Sequence, residues 1–185
     1  FNGHFESETA LDAFKVLSAA GYDVHVAAKT DLGHGANQGH LCCGRTYLAT
    51  GMVEQARAKA QELLQALKPF AEKGIAIVGL EPSCLFGMRD EFLSMLPGDN
   101  SSKLALNAML FEEFIAREID AKRFKLNLKP LAQKKALLHG HCHQKAFGTM
   151  KAMRKLLGLI PDFQYELIDS SCCGMAGSFG LEAEH

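Results

Sequence analysis

Two vicinal cysteine pairs, each followed by glycine, stand far apart in this chain: Cys42-Cys43-Gly44 and Cys172-Cys173-Gly174. They take four of the six cysteines, and the other two, Cys84 and Cys142, stand singly between them. Vicinal cysteines seldom close a disulfide with each other, because the small ring strains the intervening peptide and denies the sulfurs their preferred dihedral. They can put two sulfurs on one metal ion or on adjacent metals of a cluster. The repeated triplet therefore points to thiolate chemistry, with Cys84 completing the first set and Cys142 the second. Thiolates hold both iron–sulfur clusters and zinc, and the residue type alone does not choose between them.

Histidines widen the choice. His139, His141 and His143 alternate with Gly140 and Cys142, and in an extended segment the three rings would share one face. Neutral imidazole beside thiolate suits zinc, which could take Cys142, Cys172 and Cys173 with His141 or His143. The competing reading is that one histidine caps the following helix and another packs under the loop. The run Gly174-x-x-Gly177-x-x-Gly180 lacks the preceding G-x-G of a dinucleotide site and is read as letting backbone approach the cysteines.

With 185 residues, 48% of them hydrophobic, the chain can fill a core without disulfide staples, so reduced thiols are expected. A net charge of -1 gives no global attraction to nucleic acid. The apolar runs near Ile75 to Leu80 and Ala136 to Leu138 fall far short of the roughly 18 residues of a membrane span. No charged-then-apolar leader opens the chain. The expected setting is cytoplasmic, with peripheral attachment at the inner face of a membrane also allowed. The chain starts without methionine and stops within an expected helix, as a fragment of something longer would.

The elements that must carry these cysteines follow from periodicity. Helical spacing is read over Ser7 to Ala20, Val53 to Glu72, Pro82 to Met95, Lys103 to Ile119 and Gln144 to Leu157. Strands are read over Tyr22 to Ala27, Ile75 to Gly79, Ala136 to His139 and Gln164 to Ile168. Cys84 falls at a helix start, where the dipole and free backbone N–H groups favour a thiolate. The order helix, strand, Cys-Cys-Gly occurs twice. An α/β fold of two pseudo-repeated, Rossmann-like halves with mainly parallel sheets is expected, with the cysteines at the carboxyl ends of the strands. Residues 1–119 form the first repeat with its leading strand missing, 120–134 a connection, and 135–185 a truncated second repeat.

Four motifs carry a resemblance. They are Cys42-Cys43-Gly44-Arg45, Glu81-Pro82-Ser83-Cys84 with Arg89-Asp90-Glu91, His141-Cys142-His143, and Cys172-Cys173-Gly174-Met175-Ala176-Gly177-Ser178-Phe179-Gly180. With them the chain resembles the cysteine-rich CCG domain found in heterodisulfide reductase and in the iron–sulfur subunits of glycolate, lactate and anaerobic glycerol-3-phosphate oxidation. It looks most like the form fused behind FAD-linked D-2-hydroxy-acid dehydrogenases. Each half of that family carries a leading cysteine, a Cys-Cys pair and a closing Cys-x-x-Cys, which in the heterodisulfide enzyme hold a noncubane four-iron cluster. Here the first half lacks the leading cysteine, and Glu81-x-x-Cys84 stands for its closing motif. The second half keeps Cys142, Cys172 and Cys173, and the sequence ends before its closing cysteines.

The resemblance implies an electron-transfer module with an iron–sulfur cluster of the [4Fe–4S] type, noncubane or not, held by Cys42, Cys43, Cys84, Cys142, Cys172 and Cys173. FAD would sit in an upstream domain, where a D-2-hydroxy acid such as D-2-hydroxyglutarate or D-lactate is oxidised. The partners would be flavin and ferredoxin-like domains of the same chain and a downstream electron acceptor. The fragment alone would not oxidise substrate. Two alternatives stay open: a thiol/disulfide reductase centre like that of heterodisulfide reductase, and a zinc-bound or metal-free docking module.

Overall fold

Two short parallel pairings position the cysteine loops. The computed structural model describes residues 2–3, 5–33, 39–170, 173–175 and 183. In the first half β1 (Ile77–Gly79) pairs with β2 (Ala108–Leu110), register Ile77 to Ala108. In the second, β3 (Lys135–Leu138) pairs with β4 (Gln164–Leu167), register Lys135 to Gln164. Parallel neighbours need a crossover, and helices supply both. α1 (Ser7–Ala19), α2 (Arg45–Ala49) and α3 (Val53–Glu72) precede β1. α4 (Pro82–Arg89), α5 (Glu91–Met95) and α6 (Asp99–Asn107) cross to β2. α7 (Phe111–Asp120) follows, and α8 (Cys142–Ala146) with α9 (Met150–Leu157) cross from β3 to β4. The fold is α/β with a small parallel sheet in each half.

α3 forms where the periodicity puts it because Ala56, Ala60, Leu63 and Leu67 recur on one face, and all four are buried. They pack on Leu85, Phe86, Phe92, Leu104 and Leu110. Burial of each large apolar side chain is worth roughly 1.5–3 kcal/mol, so this cluster fixes α4, and Cys84 with it, against α3. A second cluster centres on α7: Phe114 and Ile115 pack with Leu17 and Tyr22 on one side and with Leu156 and Leu159 of the second half on the other.

Four expected elements come out differently. Tyr22 to Ala27 forms no strand pairing among the described residues. Its alternation marks only that Tyr22 and Val24 lean on the α7 cluster, while Val26 is exposed. The helix from Pro82 breaks at Asp90, whose φ of -131° and ψ of -80° are not helical, giving α4 and α5. The single helix read over Lys103 to Ile119 is interrupted by β2, because Ala108-Met109-Leu110 finds a ladder partner in β1 and pairing overrides the helical period. The helix from Gln144 starts earlier, at Cys142, and is split around Gly148, where φ is +69°. Among the described residues, no helix is long and apolar enough to cross a membrane.

Candidate metal centre

The first Cys-Cys-Gly closes against α3 through its glycine. Gly44 takes φ +80°, and a Cβ there would lie 2.7 Å from the carbonyl oxygen of Ala56. Only a residue free of both restrictions lets the loop settle on α3 and start α2. Gly174 of the second triplet has φ +87°, so the two triplets share this backbone sign.

Held this way, Cys43 reaches Cys84: their Sγ atoms are 3.0 Å apart, although 41 positions separate them in sequence. Cys42 lies exposed beside them, its sulfur accepting the Gly44 N–H at 3.4 Å. A small cleft opens on the pair, with Arg45, Ser83 and Glu91 in its wall. Cys42 is pushed well above the ordinary thiol range, first by its hydrogen bond with Cys43 and then by burial. For Cys43 the bond with Cys42 acts downward, but the contact with Cys84 and burial outweigh it and push the thiol up to about 11. Both are therefore thiols at neutral pH, and metal binding there must release protons.

Cys84 does stand in the first turn of α4, but the N–H groups expected to serve its sulfur are taken. Glu81, the N-cap, accepts the Ser83 N–H at 3.1 Å on Oε1 and the Cys84 N–H at 2.6 Å on Oε2. Burial pushes the Glu81 carboxyl up, yet these hydrogen bonds prevail and hold it below its usual value. The carboxylate that stands in place of a closing cysteine thus serves the backbone.

Ser83 then ties this helix start to the other one. Its Oγ lies 3.4 Å from His141 Nε2 and 3.4 Å from His143 Nδ1, on either side of Cys142. His141 caps α8, its Nδ1 accepting the His143 N–H at 3.2 Å. Because Nδ1 accepts, the neutral ring carries its proton on Nε2, facing Ser83 and, at 3.9 Å, Glu81. Burial lowers the His141 pKa; the Glu81 charge opposes this and His143 adds to it. The rings of His141 and His143 stack at 5.2 Å, and Phe86 stacks on Phe147 at 4.3 Å with His143 at 6.4 Å on a nearly parallel plane. The three-histidine face does not form, because α8 begins at Cys142 and His139 turns to Lys145, 3.2 Å away.

The structure thus brings together Cys43 and Cys84, with Cys42 alongside, and sets the Cys142 helix start against theirs. Cys142 and Cys173 are exposed. Cys172, Gly177 and Gly180 lie outside the described residues. Among the described residues, no group of three or more His, Cys, Asp or Glu side chains is gathered as a metal-binding set. The roles of Glu81 and Ser83 are not read from the sequence. Glu-Pro-Ser before a helix could signal a cap, but serine is the commoner capping residue and draws the assignment to itself.

Residues 6–89 match the cysteine-rich CCG domain. Over the whole chain, an anaerobic glycerol-3-phosphate dehydrogenase subunit of Escherichia coli (strain K12) is 31% identical, and the chain spans 44% of that protein. The D-2-hydroxyglutarate dehydrogenase of Haemophilus influenzae is 25% identical over 77% of the chain and 14% of its own length. Lactate utilization protein A 2 of Bacillus cereus (strain Q1) is 24% identical over 78% of the chain and 60% of its own length. The chain thus spans less than half of the first of these relatives. No solved structure matches it.

Proposed function

We propose, from the premise that this chain carries a cysteine-rich domain of the CCG family, that it is the electron-transfer part of a dehydrogenase and holds an iron–sulfur cluster with its cysteine thiolates. The observation that carries the reading is the convergence of Cys43 and Cys84 from different elements at 3.0 Å, each with a second cysteine or a cysteine-bearing helix start beside it. A donor set of soft sulfurs fits iron–sulfur chemistry. In this reading Cys42, Cys43 and Cys84 serve the first repeat, residues 1–119, and Cys142, Cys172 and Cys173 the second, residues 135–185, with 120–134 connecting them.

Such a centre, when bound, accepts and passes on single electrons. The chain's own residues do the rest. Gly44 seats the first pair on α3, and Glu81 fixes the start of α4 so that Cys84 faces Cys43. Ser83 links that start to His141 and His143, so the cysteine loops of the two repeats keep one spacing. Half-burial of Cys43 and Cys84 excludes part of the solvent from their sulfurs, which bears on the potential of anything they hold.

The substrate would be oxidised at FAD elsewhere in the protein. A D-2-hydroxy acid, D-2-hydroxyglutarate or D-lactate, is the first choice. Glycerol-3-phosphate is the second, favoured by the relative that aligns with the whole chain. The decisive assay is iron, acid-labile sulfide and zinc per chain on the intact protein purified without oxygen, with electron paramagnetic resonance before and after mild oxidation. About four irons and four sulfides per centre, lost in Cys172→Ser or Cys84→Ser, is the expected result. One zinc and no sulfide would overturn the electron-transfer reading.

A further inference from the structure

We propose that Cys43 and Cys84 are a redox-active dithiol that closes to a disulfide in the metal-free protein. The sulfurs, 3.0 Å apart, are nearer than two unbonded sulfurs ordinarily rest. A disulfide bond is about 2.05 Å long, so closure needs a shift of roughly 1 Å. The backbone on either side is already set. Gly44, next to Cys43, is lodged against Ala56, and the Cys84 N–H is held by Glu81. Both cysteines are half-buried, so their sulfurs stay partly open to solvent beside the cleft walled by Arg45, Ser83 and Glu91.

The other pairings are poorer. Cys42 and Cys43 are vicinal, and a bond between them strains their shared peptide. The Cys42 sulfur, hydrogen-bonded with Cys43, also accepts the Gly44 N–H.

The oxidant is a small-molecule disulfide such as glutathione disulfide. One cysteine, as thiolate, attacks a glutathione sulfur, breaking the S–S bond and releasing one glutathione thiolate. The second cysteine then attacks the protein-bound sulfur of the mixed disulfide, forming the Cys43–Cys84 bond and releasing the second glutathione. The protein loses two electrons to glutathione disulfide, and the two thiol protons go to the released glutathione. A disulfide sulfur carries no anionic lone pair for a metal, so the bond and a thiolate-held metal exclude each other. The first cysteine set therefore accepts metal only after reduction.

The test equilibrates the full chain, stripped of metal by chelation and reduced, in mixed reduced and oxidised glutathione without oxygen. Free thiols are then trapped by alkylation, and the peptides mapped with fragmentation that separates Cys42 from Cys43. The expected result is loss of two hydrogens in mass and a single cross-link between Cys43 and Cys84, with Cys42 alkylated. Cys42→Ser keeps that link and Cys84→Ser abolishes it. Alkylation of both Cys43 and Cys84 across the whole glutathione range, or a link through Cys42, overturns the proposal. Should Cys84→Ser fail to fold, the wild-type map and Cys42→Ser decide alone. The outcome is independent of the electron-transfer reading, which rests on metal and sulfide content.

Discussion

Gly44→Ala separates the two demands made on the first triplet. Alanine at φ +80° costs about 1–2 kcal/mol for the left-handed backbone alone. Its Cβ would also meet the Ala56 carbonyl oxygen at 2.7 Å and the Ala56 Cα at 3.1 Å, both backbone atoms in the first turn of α3. Neither can turn aside like a side chain, so overpacking adds about 1–3 kcal/mol. Gly21→Ala is the control: φ is +87°, and nothing among the described residues lies within 4 Å of the added carbon. Urea unfolding of the reduced, metal-free proteins measures the difference. With a slope of about 2 kcal/mol per molar urea, the Gly44 variant should lose roughly 1–2.5 M from its midpoint and the Gly21 variant about 0.5–1 M. Equal shifts would refute the claim that close approach to α3, rather than backbone sign alone, demands this glycine. Gly174→Ala should follow Gly21, since its φ is +87° and, among the described residues, nothing lies within 4 Å of its Cβ position.

Two carboxylates should give opposite pH dependences. Glu81 is held below its usual value in the folded state, so its contribution is present above about pH 4.5 and fades as the pH falls through the depressed value. Glu81→Gln should flatten that acid limb and, through the weakened cap, cost about 0.5–2 kcal/mol at neutral pH by urea titration; an unchanged limb would reject the cap as its cause. Glu112, which accepts a hydrogen bond from Gln144, is pushed up by burial, so folding is favoured while it is protonated and loses stability as the pH rises through the raised value. Glu112→Gln keeps an acceptor for Gln144 and should be less pH-dependent above about pH 4.5 than the parent, read from thermal midpoints as the pH is raised.

α3 and the cysteine grouping are legible in the sequence for the same reason: both are local. Ala56, Ala60, Leu63 and Leu67 announce a buried face within one segment, and Cys-Cys-Gly sets two sulfurs on adjacent residues. What stays hidden depends on partners far along the chain. Ala108-Met109-Leu110 fits a helical period as well as a strand, and only β1 decides between them. Tyr22 to Ala27 alternates as a strand should, but no ladder partner lies beside it among the described residues. In the site, the order of the cysteines alone groups Cys43 with Cys84, whereas the Ser83 contacts with His141 and His143 span 58 and 60 positions and leave no mark in either motif. Glu81 reads as a lost ligand because the family pattern puts cysteine there; its capping role appears only once both backbone N–H groups are seen on its carboxylate.

The stretches that carry β1–β2 and β3–β4 are not independent in energy. A two-stranded sheet is marginal by itself, and the crossover that joins β3 to β4 is anchored through α9, whose Leu156 lies against the cluster centred on Phe114 and Ile115 of α7. Around the cysteines the tie is tighter. Phe86, two residues beyond Cys84, stacks on Phe147 of the second half, and Arg89 lies over both rings while pairing with Glu113 at 3.0 Å. Ser83, Phe86 and Arg89 all belong to α4, and their partners in the second half all lie on or next to α8. Each of these two helices carries a cysteine in its first turn. The fold therefore sets the spacing between Cys84 and Cys142 by side-chain packing between two short helices, and any displacement of one cysteine loop must either carry the other along or break the aromatic and Ser83 contacts between them.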